Sequence, residues 1–149
     1  MAPIVRSVEI SQSPEDVFAY LTDFSRSLEW QENLVSASLE GEEPLRVGSH
    51  VKMTRRIGRS ERKMTNEVTD HNPPRSFGFR GIDGPIRAIG KGTVEPVGDG
   101  AGSRFTMELD FEGHGIGKLL VPLVVRRQAR SDMAKSQERL KARLESGTD

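Results

Sequence analysis

Most of this chain alternates. From Arg104 to Phe111, Phe105, Met107, Leu109 and Phe111 share one parity and Arg104, Thr106, Glu108 and Asp110 the other, the two-residue period of a strand with one wet face. The same period runs through Pro3–Ser11, where Ile4, Arg6, Val8 and Ile10 oppose Val5, Ser7 and Glu9. It returns in His50–Ile57, with Val51, Met53, Arg55 and Ile57 on one face, and again where Arg62, Met64, Asn66 and Val68 alternate with Lys63, Thr65, Glu67 and Thr69. Ile86–Val97 is a further strand whose parity Ile86, Ala88, Gly90, Gly92, Val94 is unusually small. Arg75–Ile82 carries Phe77 and Phe79 on one side, and Asn33–Glu40 completes the expected strands. Turn chemistry separates them: Gly41-Glu42-Glu43-Pro44, Gly58-Arg59-Ser60, Asn72-Pro73-Pro74, Asp83-Gly84-Pro85 and Gly98-Asp99-Gly100-Ala101-Gly102.

Three stretches break the period. Ser13-Pro14-Glu15-Asp16 gives an N-cap, a proline at the first helical position and early acids, so a short helix follows with Val17, Phe18 and Leu21 as its apolar side. Phe24–Leu28 reads as another short helical turn, and Trp30, the one tryptophan, leads out of it. Gly117–Glu145 reads as one long amphipathic helix, with Leu120, Leu123, Val124, Met133, Leu140 and Leu144 near the spacing of a single buried face. Gly113, Gly115 and Gly117 let the chain turn into it, Pro122 should start or kink its regular part, and Gly147 stands where a stop is expected. Strands in hairpin runs with the helices set apart predict an α+β class with an antiparallel sheet of about seven strands.

Composition removes several alternatives. At 149 residues the chain is most simply one domain, 1–149, long enough to bury a core. Lys plus Arg equals Asp plus Glu, 22 each, so nothing argues for a nucleic-acid partner. Without cysteine there are no disulfides, thiolate metal sites or thiol nucleophiles. No apolar run approaches a membrane span, which predicts no integral membrane association, and the N-terminus lacks a signal-peptide core. A soluble, cytoplasmic protein is therefore expected. Its charge is uneven, since Lys118–Arg143 holds eight basic residues against the acids Asp132 and Glu138.

The order of these elements, together with Ser13-Pro14-Glu15-Asp16-Val17-Phe18 followed by Leu21, Asp23 and Trp30, then Val47-Gly48, the Glu95–Gly100 turn and Leu140-Lys141 in the closing helix, resembles the START-like, or polyketide cyclase/dehydrase (SRPBCC), superfamily. The resemblance covers essentially the whole chain. It implies a helix-grip (Bet v 1/START-like) fold, a curved antiparallel sheet wrapped around the long C-terminal helix with a cavity between. In that superfamily the cavity takes lipids, sterols, plant hormones or polyketide intermediates, and some members are enzymes. It brings no universal catalytic residue with it.

On such a fold the concave parity supplies the candidate ligand-binding residues: Val51, Met53, Arg55, Met64, Asn66, Phe77, Phe79, Phe105 and Met107 from the sheet, and Val125, Ala129 and Met133 from the helix. Trp30 is placed to cap the mouth, and Ala88, Gly90 and Gly92 are expected to leave volume unfilled. Arg55, Arg62 and Asn66 are the polar residues on the apolar parity; a cavity-facing arginine needs an anionic or enolate partner. Arg55, Arg62 and His114 are therefore the candidates for chemistry, His114 because its loop could gate the cavity. The histidines His50, His71 and His114 lack metal-ligand spacing, so no metal is expected, and no nucleotide loop or other cofactor signature is visible. Three functions follow in order: a binding protein for a small apolar molecule, a cyclase or dehydratase working in the same cavity, and an interaction module presenting Arg126, Arg127 and Arg130 to an acidic partner or anionic lipid surface. The partner expected is thus a small molecule, to a monomer or homodimer.

Overall fold

The computed structural model describes residues 2–41 and 44–146, so Glu42 and Glu43 of the first expected turn and the stop at Gly147 lie outside the described residues. Strand β1 (Ile4–Ile10) leads to helix α1 (Pro14–Leu21) and a short 3-10 helix (Phe24–Glu29). Six strands follow: β2 (Leu34–Glu40), β3 (His50–Ile57), β4 (Ser60–Asn72), β5 (Ser76–Gly81), β6 (Ile86–Val97) and β7 (Gly102–Gly113). The chain ends in α2 (Gly117–Leu120), a π turn (Val121–Val125) and α3 (Arg126–Glu145). The strands form one antiparallel sheet in the order β1-β7-β6-β5-β4-β3-β2. Each of β2 to β7 pairs with its neighbours in sequence, while α1 and the 3-10 helix carry the chain from one edge of the sheet to the other.

Local chemistry accounts for the short helices. Ser13 Oγ accepts from the Asp16 N–H at 3.3 Å, and Pro14 occupies the first turn, where a missing N–H costs nothing. Asp23 caps the 3-10 helix by accepting from Ser25 N–H at 3.1 Å. Tyr20 Oη donates to Glu29 at 2.7 Å, joining the two helices and holding Trp30 at their exit. Burial, together with that bond, pushes the Tyr20 phenol up to about 12. The expected Gly98–Gly102 hairpin is present, with Gly100 N–H bonding Val97 O at 3.2 Å.

The C-terminal helix differs from a simple amphipathic rod. Pro122 has no N–H to offer, and the Arg126 N–H reaches the Val121 carbonyl five residues back. This wide turn takes up an extra residue, so the buried face runs through Val121, Val125, Ala129, Met133, Gln137 and Leu140. Leu123, expected on that face, is 71% exposed. Gly117 is required where the helix begins, because a Cβ there would collide with the Pro85 carbonyl.

Arg126 also departs from expectation. It belongs not to an exposed basic face but to the interior, where its guanidinium pairs with Asp110 at 2.9 Å and donates to the Ala2 carbonyl. Gln137 Nε2 donates to Arg6 O at 2.9 Å and Lys141 Nζ to Glu9 O at 2.6 Å. Three side chains of α3 thus donate to backbone carbonyls in and just before the edge strand β1. The core lies in separate clusters around the helix. Ile10, Phe18, Trp30, Phe105 and Leu140 close one end of the grip, and Ile86, Val121 and Val125 close the other.

Candidate functional site

Between those ends the sheet and helix enclose a cavity of about 210 Å³. Its sheet wall is the alternating parity of β3, β4 and β7: Val51, Met53 and Arg55, then Met64, Asn66 and Val68, then Phe105, Met107, Leu109 and Phe111. Val125, Ala129 and Met133 supply the helix wall at four-residue spacing, and Trp30 stands at the end nearest α1. All the residues named as ligand candidates from the sequence are therefore gathered around one space.

The source of that space is not the one expected. Gly90 and Gly92 face Phe79 and Phe77 across the β5–β6 register. A Cβ on either glycine would strike the opposing ring, so the small parity of β6 is filled by aromatic faces rather than left open. Phe77 in turn stacks on Phe105 with centroids 6.4 Å apart. Ala88, on the same β6 parity, does line the remaining volume, together with the short side chains of Ala129 and Ser136 on α3.

One side of the cavity is polar, and it is built from a strap after the 3-10 helix. Glu32 holds Arg139 at 2.6 Å, Glu32 N–H donates to Ser136 Oγ at 2.9 Å, and Asn33 Nδ2 donates to Asp132 Oδ1 at 3.0 Å. These bonds bind residues 31–33 to α3 and set Gln31 where its Oε1 accepts from Arg55 Nη2 at 2.5 Å. That is the one hydrogen bond of Arg55 among the described residues. Burial lowers the pKa of Arg55, opposed by the charge of Asp132, yet a guanidinium stays cationic. The Asp132 carboxyl is pushed above the usual aspartate range by burial, despite hydrogen bonds from Gln128 and Asn33 and the Arg55 charge. Gln128 bridges the rim: its Nε2 donates to Arg56 O at 2.7 Å and to Asp132 at 3.1 Å, and its Oε1 accepts from Gly58 N–H at 2.8 Å. Three further polar atoms of lining residues, Trp30 Nε1, Asn66 Oδ1 and Gln137 Oε1, are buried with no partner among the described residues.

Two candidates fall outside. Arg62 stands directly across from Arg55 on β4 but does not line the cavity. Two adjacent cations cannot both enter an apolar space, and only Arg55 has Gln31 and the Asp132 field to support it. His114 extends the outward parity of β7 through Glu108, Asp110 and Glu112; it is exposed, 3.6 Å from Glu112, on the opposite side of the sheet. Conversely, Gln31, Gln128, Asp132 and Ser136 were not identified from the sequence. The signal was present in part, because Gln128, Asp132 and Ser136 follow a four-residue spacing beside the apolar stripe Val125, Ala129, Met133.

The raised carboxyl has a measurable consequence. A group whose folded-state pKa exceeds its unfolded value stabilises the fold in acid and loses that contribution as pH rises. The stability of the wild type relative to Asp132→Asn should therefore fall as pH climbs from about 3.9, the ordinary aspartate value, through the raised one. The lost hydrogen bonds add only a constant offset. Melting profiles across pH that run parallel would contradict this placement of Asp132.

A family model described as polyketide cyclase / dehydrase and lipid transport matches residues 1–145. No curated protein sequence matches the chain. Among solved structures, TTHA0849 from Thermus thermophilus superposes with a TM-score of 0.79 at 18% identity, covering 99% of both chains. A START superfamily protein from Mycobacterium smegmatis gives 0.79 at 15% identity, over 99% of this chain and all of that one. The Zhui aromatase/cyclase from Streptomyces sp. R1128 gives 0.74 at 13% identity, over 99% and 98%. Their likeness is one of fold, a curved seven-stranded sheet closed by a C-terminal helix.

Proposed function

The chain belongs to the polyketide cyclase/dehydrase and lipid transport family, and from that premise we propose that its cavity, within one domain spanning 1–149, binds a small, mostly apolar molecule carrying an oxygen-bearing end. The observation behind this reading is the asymmetry of the walls. Val51, Met64, Met107, Val125 and Met133 offer only apolar contact, whereas Arg55, Gln31 and Asp132 concentrate polar groups on one side. A buried guanidinium with one neutral partner has spare donors, and a carboxylate, enolate or phenol oxygen is the acceptor that fits them. The partnerless Trp30 Nε1 and Asn66 Oδ1 add a donor and an acceptor, since buried polar atoms ordinarily find partners. A volume near 210 Å³, below the roughly 300–1,000 Å³ of pockets for drug-sized ligands, favours a short or one- to two-ring ligand.

The test is native mass spectrometry of the protein as purified, followed by organic extraction. A co-purified small oxygenated molecule is the expected result. Bare protein whose melting temperature is unmoved by a panel of aromatic acids, phenols and short-chain acids would overturn the reading.

A second reading, cyclase or dehydratase chemistry in the same cavity, draws on Asp132. A carboxyl raised by burial and set beside a cation is suited to exchange a proton with a bound enol. Under this reading Asp132→Asn abolishes turnover of a bound β-keto substrate while leaving its affinity within a few-fold.

A further inference from the structure

Ile116, Leu119 and Leu123 are 59, 65 and 71% exposed, and they follow one another at three- and four-residue spacing through α2 and the π turn. The other side of the same segment buries Val121 and Val125 against Ile86, Ile57 and Phe111. The segment is thus apolar on both sides, and only one side is covered by this chain. Exposed single leucines are common; three adjacent ones on one short stretch are a patch.

The segment's own charge has one sign. From Gly113 to Ser131 the sequence contains no acid. Lys118 and Arg127 are exposed, and their side chains make no hydrogen bond or ion pair among the described residues. The β3–β4 turn packs beside the segment, a Cβ on Gly58 lying 3.8 Å from Val124, and it adds Arg59, likewise exposed and unpaired. The nearby acids are already engaged: Asp110 with Arg126, Glu61 with Arg56, and Glu112 beside His114.

We propose that this face docks the protein on an anionic lipid surface. Ile116, Leu119 and Leu123 enter the boundary between headgroups and acyl chains, and Lys118, Arg127 and Arg59 meet the lipid phosphates. No described helix is long and apolar enough to cross a membrane, so the association is peripheral. A second copy of the chain fits the face less well, because a two-fold dimer would set unpaired cations against themselves. The position also suits delivery, since Val125 and Ile57, packed under this segment, line the cavity. The docking does not depend on what the cavity holds.

Sedimentation of the full chain with vesicles tests it, using phosphatidylcholine alone and phosphatidylcholine with phosphatidylglycerol. The expected result is partition onto the anionic vesicles, weakening as salt rises. Leu119→Ser with Leu123→Ser should lower that partition at least tenfold without changing the melting temperature, because both side chains are exposed. Lys118→Gln with Arg127→Gln should erase the preference for anionic lipid. No partition of the wild type, or partition unaffected by the leucine substitutions, would overturn the proposal. A concentration-dependent dimer abolished by those substitutions would overturn it in favour of a second copy.

Discussion

Replacing Leu140 by alanine should remove about 2–5 kcal/mol of folding free energy, which at roughly 2–4 °C per kcal/mol lowers the melting temperature by about 4–20 °C. Leu140 is fully buried, and it packs in the cluster of Ile10, Val17, Phe18, Tyr20, Trp30 and Phe105 that closes one end of the grip. The aromatic rings there are pinned from several sides: Phe18 meets Phe77 edge-on at 6.1 Å and His71 at 5.9 Å. Little can move to fill the space a leucine leaves, so the cavity penalty should be felt nearly in full. Leu123→Ala is the matched comparison. Both leucines were expected on the buried side of the helix, yet Leu123 is open to solvent, and its replacement should change stability by no more than about 0.5 kcal/mol. Urea unfolding of both variants measures the contrast. Equal losses would mean that something covers Leu123 in solution, or that the helix register differs from the one described.

That pair marks where the sequence stops being legible. Alternation is a strong signal because a strand has only two faces, so the concave parity of β3, β4 and β7 could be read residue by residue. Ser13-Pro14 announced α1 equally well, since cap chemistry is local. The helix was harder. Counted back from Leu140 at about 100° per residue, Arg126 falls near the buried face and Leu123 well off it, so the phase of α3 was legible there, whereas the wide turn over Val121–Val125, which brings Val121 back onto the buried side, leaves no trace in spacing.

Tertiary partners were harder still. Gly90 and Gly92 read as missing volume because the rings that occupy it belong to the neighbouring strand. Asp132 read as one of two acids on a basic helix, while its importance comes from Asn33 and Gln128 aiming it, and from burial that raises its pKa. Arg55 and Arg62 were equivalent by parity. They separate only because Gln31, delivered by the strap after the 3-10 helix, reaches one of them. A site assembled from side-chain hydrogen bonds between distant segments leaves little trace in spacing, even when the fold that carries it leaves a clear one.

The sharpest test of the site follows from that difference. Arg55→Met keeps an unbranched side chain of similar length in the cavity wall and removes the charge. Its effect on folding should be small, because a buried charge supported by one neutral amide returns little against its desolvation; the unpaired Gln31 oxygen is the main cost, about 1 kcal/mol. Its effect on binding should be large. A hydrogen bond from a charged donor is worth about 1.5–3 kcal/mol, so affinity for an aromatic carboxylate such as 2-naphthoate should fall roughly 10- to 150-fold. The neutral methyl ester of the same acid should lose much less, since it draws mainly on the apolar walls. Arg62→Met should leave both affinities unchanged, because Arg62 lies outside the cavity lining. Titration calorimetry on the three proteins with the two ligands reads all of this. Equal losses for acid and ester would show that Arg55 shapes the wall rather than receiving an anion, and a loss confined to Arg62→Met would move the polar end of the ligand to the other arginine.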